Sequence, residues 1–310
     1  MKRGTPDTFD PPRIIEQAPA FNNVIRTRGP LAAAAIMGAL ARGRPNEDMQ
    51  APPNIVRERP ERMSDGNPNR LTVEQHIFPT RSIERFLDKS GRVDLQDDLH
   101  QKRRPAKPRD SIFCARRAWD QRAEAGYMKS IEDQFQHLAT QIVASHIQSI
   151  PADQKEIVDQ FYALWYMRGR HKRLSSQQIQ LNGVYGDMLS LEEEENLEKK
   201  HYLWVRPDGN MPARQFNGLW LQQQIDGYAA QLSSRVNWRI VQALAGEFLV
   251  PDVPEALFVP LSPTIGLASA DGDGKIIEDD VARINRFMMD HSREYYFARD
   301  LKACPALPPT

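Results

Sequence analysis

Residues 128–150, MKSIEDQFQHLATQIVASHIQSI, decide the fold class of this chain. Apolar side chains recur there at steps of three and four residues, at Ile131, Phe135, Leu138, Ile142, Val143 and Ile147. This spacing places all of them on one face of a helix. The stretch therefore predicts a long amphipathic helix that packs against a core.

A second helix is predicted directly after the first. Pro151–Asp153 is typical of a helix start, because proline fits the first turn and a carboxylate is favourable beside the helix N-terminus. One face of this helix would carry Ile157, Phe161, Leu164, Trp165 and Arg168. Residues 175–200 add two shorter helical pieces. Ser190 heads the second of these, with Glu193 three residues later, as in a capping box.

Short strands are predicted on both sides of these helices. Residues 71–79 are extended, and residues 92–95 alternate with a period of two. Later strands are predicted at 238–244, 247–250 and 257–259, followed by a helix over 277–299. The sequence therefore predicts an α+β, helix-dominated fold, with a small β segment first, central helices, and a short C-terminal antiparallel sheet closed by a helix.

The N-terminal part differs in composition from the rest of the chain. It holds many of the 23 prolines, interleaved with polar residues in no sustained period. Such a segment buries too little apolar surface to offset its ordering entropy, so residues 1–70 are predicted to be disordered. Residues 31–41 are an Ala-rich island, shorter than the roughly 20 apolar residues that span a bilayer. We expect a single domain over 71–302 and a tail over 303–310.

Overall composition excludes several classes of protein. The 41 basic and 41 acidic residues cancel, so bulk electrostatic attraction to nucleic acid or anionic lipid is not expected, although local patches remain open. A mean hydropathy of −0.59 argues against a polytopic membrane protein. Two cysteines, Cys114 and Cys304, are too few for a disulfide scaffold or a cysteine zinc site. They fit a reducing compartment, so we predict a cytoplasmic protein without membrane contact.

No metal or cofactor motif is present. The chain lacks a His-Glu-x-x-His helix, a glycine-rich phosphate loop, a Gly-x-Ser-x-Gly elbow and a dinucleotide-binding fingerprint. The run Asp271-Gly-Asp-Gly274 lacks the third acid and the closing glutamate of a calcium loop, so it is interpreted as a turn. The sequence predicts neither a metal nor a cofactor.

Two residues are candidates for acid–base chemistry. His76 precedes a turn stiffened by Pro79, and Asp252 lies between prolines at a predicted strand end. A side chain on a backbone with little freedom suits a positioned acid or base. The structural alternative is that His76 bonds a neighbouring carbonyl group and that Asp252 caps a turn.

Two basic clusters are candidates for phosphate binding. One stands at the predicted end of the second helix, where cations are favoured: Arg168, Arg170, His171, Lys172 and Arg173. The other has only Asp110 as a local acid, and comprises Lys102, Arg103, Arg104, Lys107, Arg109, Arg116 and Arg117. If the clusters converge, they form a phosphate-binding groove with contacts from Arg103, Arg104, Arg168, Arg170 and Arg173. Otherwise they are solvated surface.

Four blocks of sequence resemble a known family in their order and spacing. They are Gln75–Pro79 with Ile83 and Phe86, the aromatic stretch 161–168, the block 247–263, and residues 283–297. Together they resemble the bacterial domain-of-unknown-function family 4238, over about three-quarters of the chain, from 74 to 300. The resemblance implies a bacterial protein with that family's fold. It implies no reaction, since the family has no assigned activity.

Several positions depart from the family pattern. Ile77 stands where the family has an aromatic residue, and Arg81 with Ser82 replaces an aromatic pair. The family's Ser-Asp-Asn-Pro turn is Pro251–Pro254 here, which keeps the acid but loses its small polar neighbours. The chain therefore resembles a divergent member, in which any activity of the family is open to change.

Two functions follow as hypotheses. The first is a protein that acts on nucleic acid or a phosphorylated small molecule, such as a metal-independent nuclease or a defence factor. In it, His76 is the acid or base, and Arg168 with Arg173 stabilises phosphate charge. The alternative is a non-catalytic protein- or ligand-binding module. The first requires His76, Arg168, Arg173 and Asp252 to line one cleft. The second leaves each satisfied by its own neighbours. In either case we expect the motifs at 75–86 and 247–263 to pack directly together.

Overall fold

A computed structural model of the chain describes residues 61–174, 177–270 and 272–306. Within these residues the fold is α+β and helix-dominated, as the sequence predicts. Most of the segment predicted to be disordered lies outside the described residues, as do the Ala-rich island at 31–41 and residues 307–310.

The described residues contain more helix than strand, in six α-helices: α1 (Thr80–Glu84), α2 (Lys129–Val143), α3 (Lys155–Arg170), α4 (Leu191–Lys199), α5 (Ala213–Arg235) and α6 (Glu278–His291). A π-helical turn, Ala123–Met128, leads into α2. Most residues of the predicted apolar faces of α2 and α3 are buried, whereas Val143 and Ile157 are half-buried. α2 ends before the predicted residue 150. The helix stops there because the chain turns at Ser145, whose φ is 61°.

Twelve short strands lie before, between and after the helices: β1 (Glu74–His76), β2 (Val93–Asp97), β3 (Lys102–Ala106), β4 (Cys114–Arg116), β5 (Ile179–Gln180), β6 (Asn210–Met211), β7 (Trp238–Ala243), β8 (Val250–Pro251), β9 (Phe258–Ser262), β10 (Ile265–Ser269), β11 (Gly274–Ile276) and β12 (Tyr295–Ala298). Two four-stranded sheets have the orders β3-β2-β12-β8 and β11-β7-β10-β9. β1 pairs with β4, and β5 with β6.

The C-terminal part differs from the sequence prediction in two ways. The sheet β11-β7-β10-β9 is mixed rather than antiparallel, because β11 runs parallel to β7. The last helix ends at His291 rather than near residue 299, and the chain continues as β12. β12 lies between β2 and β8 and pairs with both. Its tyrosine and phenylalanine side chains at 295 and 297 are buried on one face, so partner strands override the local helical pattern.

The motifs at 75–86 and 247–263 pack directly together, which confirms the prediction from sequence. Arg85 Nε donates a hydrogen bond of 2.8 Å to the carbonyl oxygen of Leu261. Strand β12, near the C-terminus, pairs with β2, which follows the first motif, and with β8, which lies in the second. Segments from the two ends of the sequence resemblance therefore meet in one sheet.

An aromatic cluster forms the core around Phe78. Its ring centroid lies 4.6 Å from that of Trp165, 6.2 Å from Phe161 and 6.4 Å from Phe297. Phe135 of α2 stacks on Phe161 of α3 at 3.5 Å. All five rings are buried. Phe78 therefore joins α3 to the strand β12, and the stacked pair of Phe135 and Phe161 joins α3 to α2.

Contacts within the chain divide it into two compact units. The first contains the described residues up to Leu71, Trp119–Ala123 and residues 177–223. The second contains Thr72–Ala118, Glu124–Leu174 and the chain from Gln224 onward. All of the candidate site residues belong to the second unit. The single domain over 71–302 stays a prediction.

The first unit is rich in buried charge. Arg214 is buried and forms ion pairs with Glu198 and Glu61. Glu195 accepts a hydrogen bond of 2.7 Å from the backbone N–H of Ser64. Ordered contacts therefore begin ten residues before the boundary expected at Leu71. The capping box predicted at the start of α4 is confirmed, with Ser190 and its partner glutamate bonded reciprocally.

We predict that Phe78→Ala lowers the free energy of unfolding by about 3–5 kcal/mol, because it removes a buried ring that packs against α3 and β12. Urea unfolding followed by circular dichroism measures the loss. Phe287→Ala is the control, since that ring is 43% exposed on α6 and its loss should cost less than about 1 kcal/mol. Equal losses for the two variants would contradict the assigned core.

Candidate functional site

The segments that carry His76, Arg168 and Asp252 meet at the end of α3. Arg168 Nη1 donates a hydrogen bond of 3.0 Å to the backbone oxygen of His76. On the next residue, Gly169, a Cβ atom would lie only 2.6 Å from the backbone oxygen of Asp252. Glycine is required here for the close approach of helix and loop. The fold thus brings the backbone at these three positions together in space, while the three side chains make separate contacts.

The side chain of Arg168 is fully buried between two carboxylates. Nη2 lies 3.1 Å from Glu124, and Nη1 pairs with Glu132 on α2. Burial opposes the charge, but attraction to Glu132 and Glu124 outweighs it and raises the pKa of Arg168. Desolvation also raises the pKa of Glu132, and repulsion from Glu124 adds to it. This guanidinium group is bonded inside the protein, and a phosphate group in solvent cannot reach it.

Asp252 joins the end of β8 to the turn that precedes β12. One carboxylate oxygen accepts hydrogen bonds from Ser292 Oγ at 3.0 Å and from the backbone N–H of Arg293 at 2.9 Å. The other accepts the N–H of Glu294 at 2.8 Å. Burial raises the pKa of Asp252, although these hydrogen bonds favour its charged form. The contacts are those of a turn cap.

His76 holds a loop in place. Its Nε2 lies 3.0 Å from the carbonyl oxygen of Pro108, and because a carbonyl can only accept, the ring nitrogen carries the hydrogen. Burial lowers the pKa of His76, and the positive charges of Arg168 and Arg109 contribute. The ring is therefore neutral near pH 7, with Nε2 already bonded to the protein.

Cys114 lies directly opposite His76 in the pairing of β1 with β4. Burial raises the pKa of its thiol to about 12, with the nearby Glu74 contributing. A thiol is nucleophilic only as the thiolate, so this neighbouring pair does not form an activated Cys–His site.

The five arginines predicted to contact phosphate are all paired with acids. Arg103 pairs with Asp94, and Arg104 forms two bonds to Asp110, at 2.7 and 3.0 Å. The remaining pairs are Arg168 with Glu124 and Glu132, Arg170 with Glu255, and Arg173 with Glu294. Local sequence indicated only Asp110. The other partners lie on a neighbouring strand or far along the chain, where no local pattern reveals them.

The two basic clusters approach one another without forming an open groove of cations. Lys172, just after α3, donates a hydrogen bond of 2.6 Å to the backbone oxygen of Ile112. Its Nζ also lies 2.9 Å from Glu294, which at the same time binds Arg173. The carboxylate of Glu294 therefore neutralises much of the charge at this meeting point. The phosphate roles assigned from sequence stay predictions.

A smaller group of cations lines a cavity and forms no ion pairs among the described residues, although Asp88 accepts the backbone N–H of Arg92. Arg92, Lys107 and Arg109 surround a pocket of about 370 Å³, together with Pro105 and Asp110. No ion pair among the described residues involves these three cations, whereas Asp110 is already bonded to Arg104. The pairing of Val93 with Ala106 brings Arg92 beside Lys107. Sequence reasoning named Lys107 and Arg109 but missed Arg92, which only the strand register adds.

Comparisons with models of protein families, with curated proteins and with solved structures find no match for this chain. The resemblance to the family named above therefore stays a prediction. Among the described residues, no three His, Cys, Asp or Glu side chains are grouped to hold a metal ion. No helix within those ranges combines the length and apolar character that crossing a bilayer needs.

We expect Arg168→Gln to lower the free energy of unfolding by about 3–5 kcal/mol, because it leaves two half-buried carboxylates without their cation. Arg173→Gln removes the same charge from a side chain that is 55% exposed, and should cost less than about 1 kcal/mol. Chemical denaturation of both variants tests this difference. A small and similar effect for both would show that the buried ion pairs do not stabilise the fold.

The imidazole of His171 should make stability depend on pH. Burial, together with Arg170 and Arg293, lowers its pKa from 6.5 to about 4, so the folded protein favours the neutral ring. The contribution of His171 to the free energy of unfolding is fully present above pH 6.5 and is lost as the pH falls toward 4. We predict that the free energy of unfolding falls more steeply over this range in the parent protein than in His171→Gln.

Urea titrations at several pH values compare the two slopes. The same substitution at the exposed His146 controls for loss of an imidazole as such. Parallel curves for the parent protein and His171→Gln would contradict the assignment.

Proposed function

We propose that this chain is a non-catalytic binding module. The observation that carries the proposal is that His76, Arg168 and Asp252, the candidates for chemistry, are each bonded to groups of the protein itself. This is the arrangement that the second hypothesis requires. It gives the nuclease hypothesis less support, because a catalytic acid or base must reach the substrate within hydrogen-bond distance.

The proposed ligand surface is the cation pocket, defined as Arg92, Lys107 and Arg109 with Pro105 and Asp110. Its three cations form no ion pair among the described residues, although the charge of Asp88 acts on Arg92. Its volume of about 370 Å³ accommodates a phosphate group with part of its ester. Arginine and lysine are the side chains that most commonly contact phosphate oxygens. We propose phosphate, in nucleic acid or in a phosphorylated small molecule, as the chemistry recognised there.

In this proposal His76 is a positioning residue. It bonds the carbonyl oxygen of Pro108, which lies between Lys107 and Arg109 in the chain. Fixing this loop reduces the freedom that two cations lose when an anion binds, so less free energy is lost to ordering. The motif that contains His76 thereby fixes the loop that carries Lys107 and Arg109.

We also propose that the module acts in the cytoplasm. Cys114 and Cys304 are both free thiols, as is typical of a reducing compartment.

The test compares two triple variants of equal charge. Replacing Arg92, Lys107 and Arg109 with glutamine should weaken binding of a single-stranded DNA oligonucleotide. It should also make the negative slope of log affinity against log salt less steep, by up to about 2, since each phosphate contact contributes about −0.7 to that slope. Replacing Arg103, Arg170 and Arg173 with glutamine should change the slope much less, because each of those cations is already paired with an acid. Fluorescence anisotropy over a salt series measures both slopes.

A nucleoside triphosphate and inorganic phosphate serve as competitors of the oligonucleotide. Strong competition indicates a phosphorylated small molecule as the ligand, and weak competition indicates nucleic acid. Equal slopes for the two triple variants, or no binding by the parent protein at low salt, would contradict the cation pocket. Cleavage of the oligonucleotide that His76→Gln abolishes would overturn the non-catalytic proposal and support the nuclease hypothesis.

A further inference from the structure

A long groove lies along α2 beside α1, within the second unit. Its volume is about 880 Å³, and its lining is Arg81, Glu84, Arg85, Lys129, Asp133, Gln136, His137, Thr140, Val143 and Ala144. The positions from Lys129 to Ala144 recur at steps of three and four residues, so they form one stripe roughly 22 Å long. None of these residues belongs to the cation pocket or to the contacts of His76, Arg168 and Asp252.

Arg85 lies in this groove with no carboxylate partner. Its guanidinium donates hydrogen bonds to the backbone oxygen of Leu261 at 2.8 Å, to Gln136 Oε1 at 2.7 Å and to Ser82 Oγ at 3.2 Å. All three acceptors are neutral. Among the described residues no ion pair involves Arg85, and two of its five N–H groups, one on each terminal nitrogen, have no protein acceptor.

Burial of this charge without a counter-ion has a physical cost. Desolvation lowers the pKa of Arg85 to about 10, with the neighbouring Glu84 opposing the shift. Arg168 is a useful comparison, since its deeper burial is matched by two carboxylates. A partly buried cation that has only neutral partners is stabilised when an anion enters, because pairing offsets the desolvation.

The charges and shape of the groove indicate which anion it takes. Its lining carries Arg81, Arg85 and Lys129 against Glu84 and Asp133, a net charge of +1, which favours a monoanion over a phosphate dianion. Lys129 and Asp133 pair with each other at 2.7 Å, which leaves Arg85 as the deepest cation without an acid partner. Paired N–H groups on a planar guanidinium match the two oxygens of a carboxylate.

One end of the groove is less polar than the other. The stripe passes from Lys129 and Asp133 to Val143 and Ala144, so a ligand with a charged head and a hydrocarbon part fits its gradient. The volume is within the range of roughly 300–1,000 Å³ that small-molecule sites occupy. We propose that this groove binds a small organic monocarboxylate, whose carboxylate pairs with Arg85 and whose hydrocarbon part lies toward Val143 and Ala144.

Gln136→Glu tests the site without removing Arg85. The new carboxylate occupies the position of an oxygen that already accepts from Arg85 Nη1, so it provides the missing counter-ion internally. Ser82 Oγ, which now accepts from Gln136 Nε2 at 2.8 Å, can rotate to donate instead, so the fold should be kept. We expect this variant to bind benzoate about tenfold or more weakly than the parent protein does.

Titrations followed by NMR of the arginine Nε–H resonances give both the affinity and the location. Benzoate should shift the Arg85 resonance, whereas benzamide, its neutral counterpart, should bind about tenfold or more weakly. Gln134→Glu is the matched control, because it adds the same charge at an exposed position of α2 outside the groove lining. It should change the affinity less than about twofold, since solvent and salt screen exposed charge.

Several results would overturn the proposal. These are no shift of the Arg85 resonance with benzoate, equal affinities for benzoate and benzamide, or full affinity in Gln136→Glu. Inorganic phosphate binding at Arg85 more tightly than benzoate would replace the carboxylate by a phosphate ligand. The groove is separate from the cation pocket, so the outcome of the benzoate titrations does not depend on the outcome of the DNA-binding experiment.

Discussion

The second unit depends on the burial of one guanidinium group. Arg168, near the end of α3, binds Glu124 in the π-helical turn, Glu132 on α2 and the backbone oxygen of His76 at the end of β1. An isolated buried charge costs several kcal/mol. The position of α3 is therefore stable only when the π-helical turn, α2 and β1 are in place to bind Arg168. Gly169 then allows the Asp252 loop to approach α3.

This constraint explains why the residues with the strongest chemical character have structural roles. The carboxylate of Asp252 holds the turn before β12, and the ring of His76 holds the loop at Pro108. Both groups are bonded within the protein and desolvated. The proposed binding sites therefore use cations that form no ion pair among the described residues.

In a chain without net charge, the distribution of ion pairs matters more than the number of basic residues. Most arginines of the two predicted clusters are paired with acids on other elements. By contrast, no ion pair among the described residues involves the exposed cations at positions 92, 107 and 109 or the half-buried Arg85. The two proposed sites differ accordingly. One is an open cation pocket suited to phosphate, and the other is a groove of low net charge suited to a monocarboxylate.

The sequence by itself determined features that depend on neighbours along the chain: the apolar faces of α2 and α3, the capping box of α4, and the rigid turns near His76 and Asp252. Helical contacts join residues three or four apart, so a local pattern contains them. Only the tertiary structure decided that residues 295–298 form a strand, that Glu294 neutralises Arg173, and that Arg85 lacks an acid. Those outcomes depend on partners brought together from distant parts of the chain, and spacing along the sequence carries no record of them.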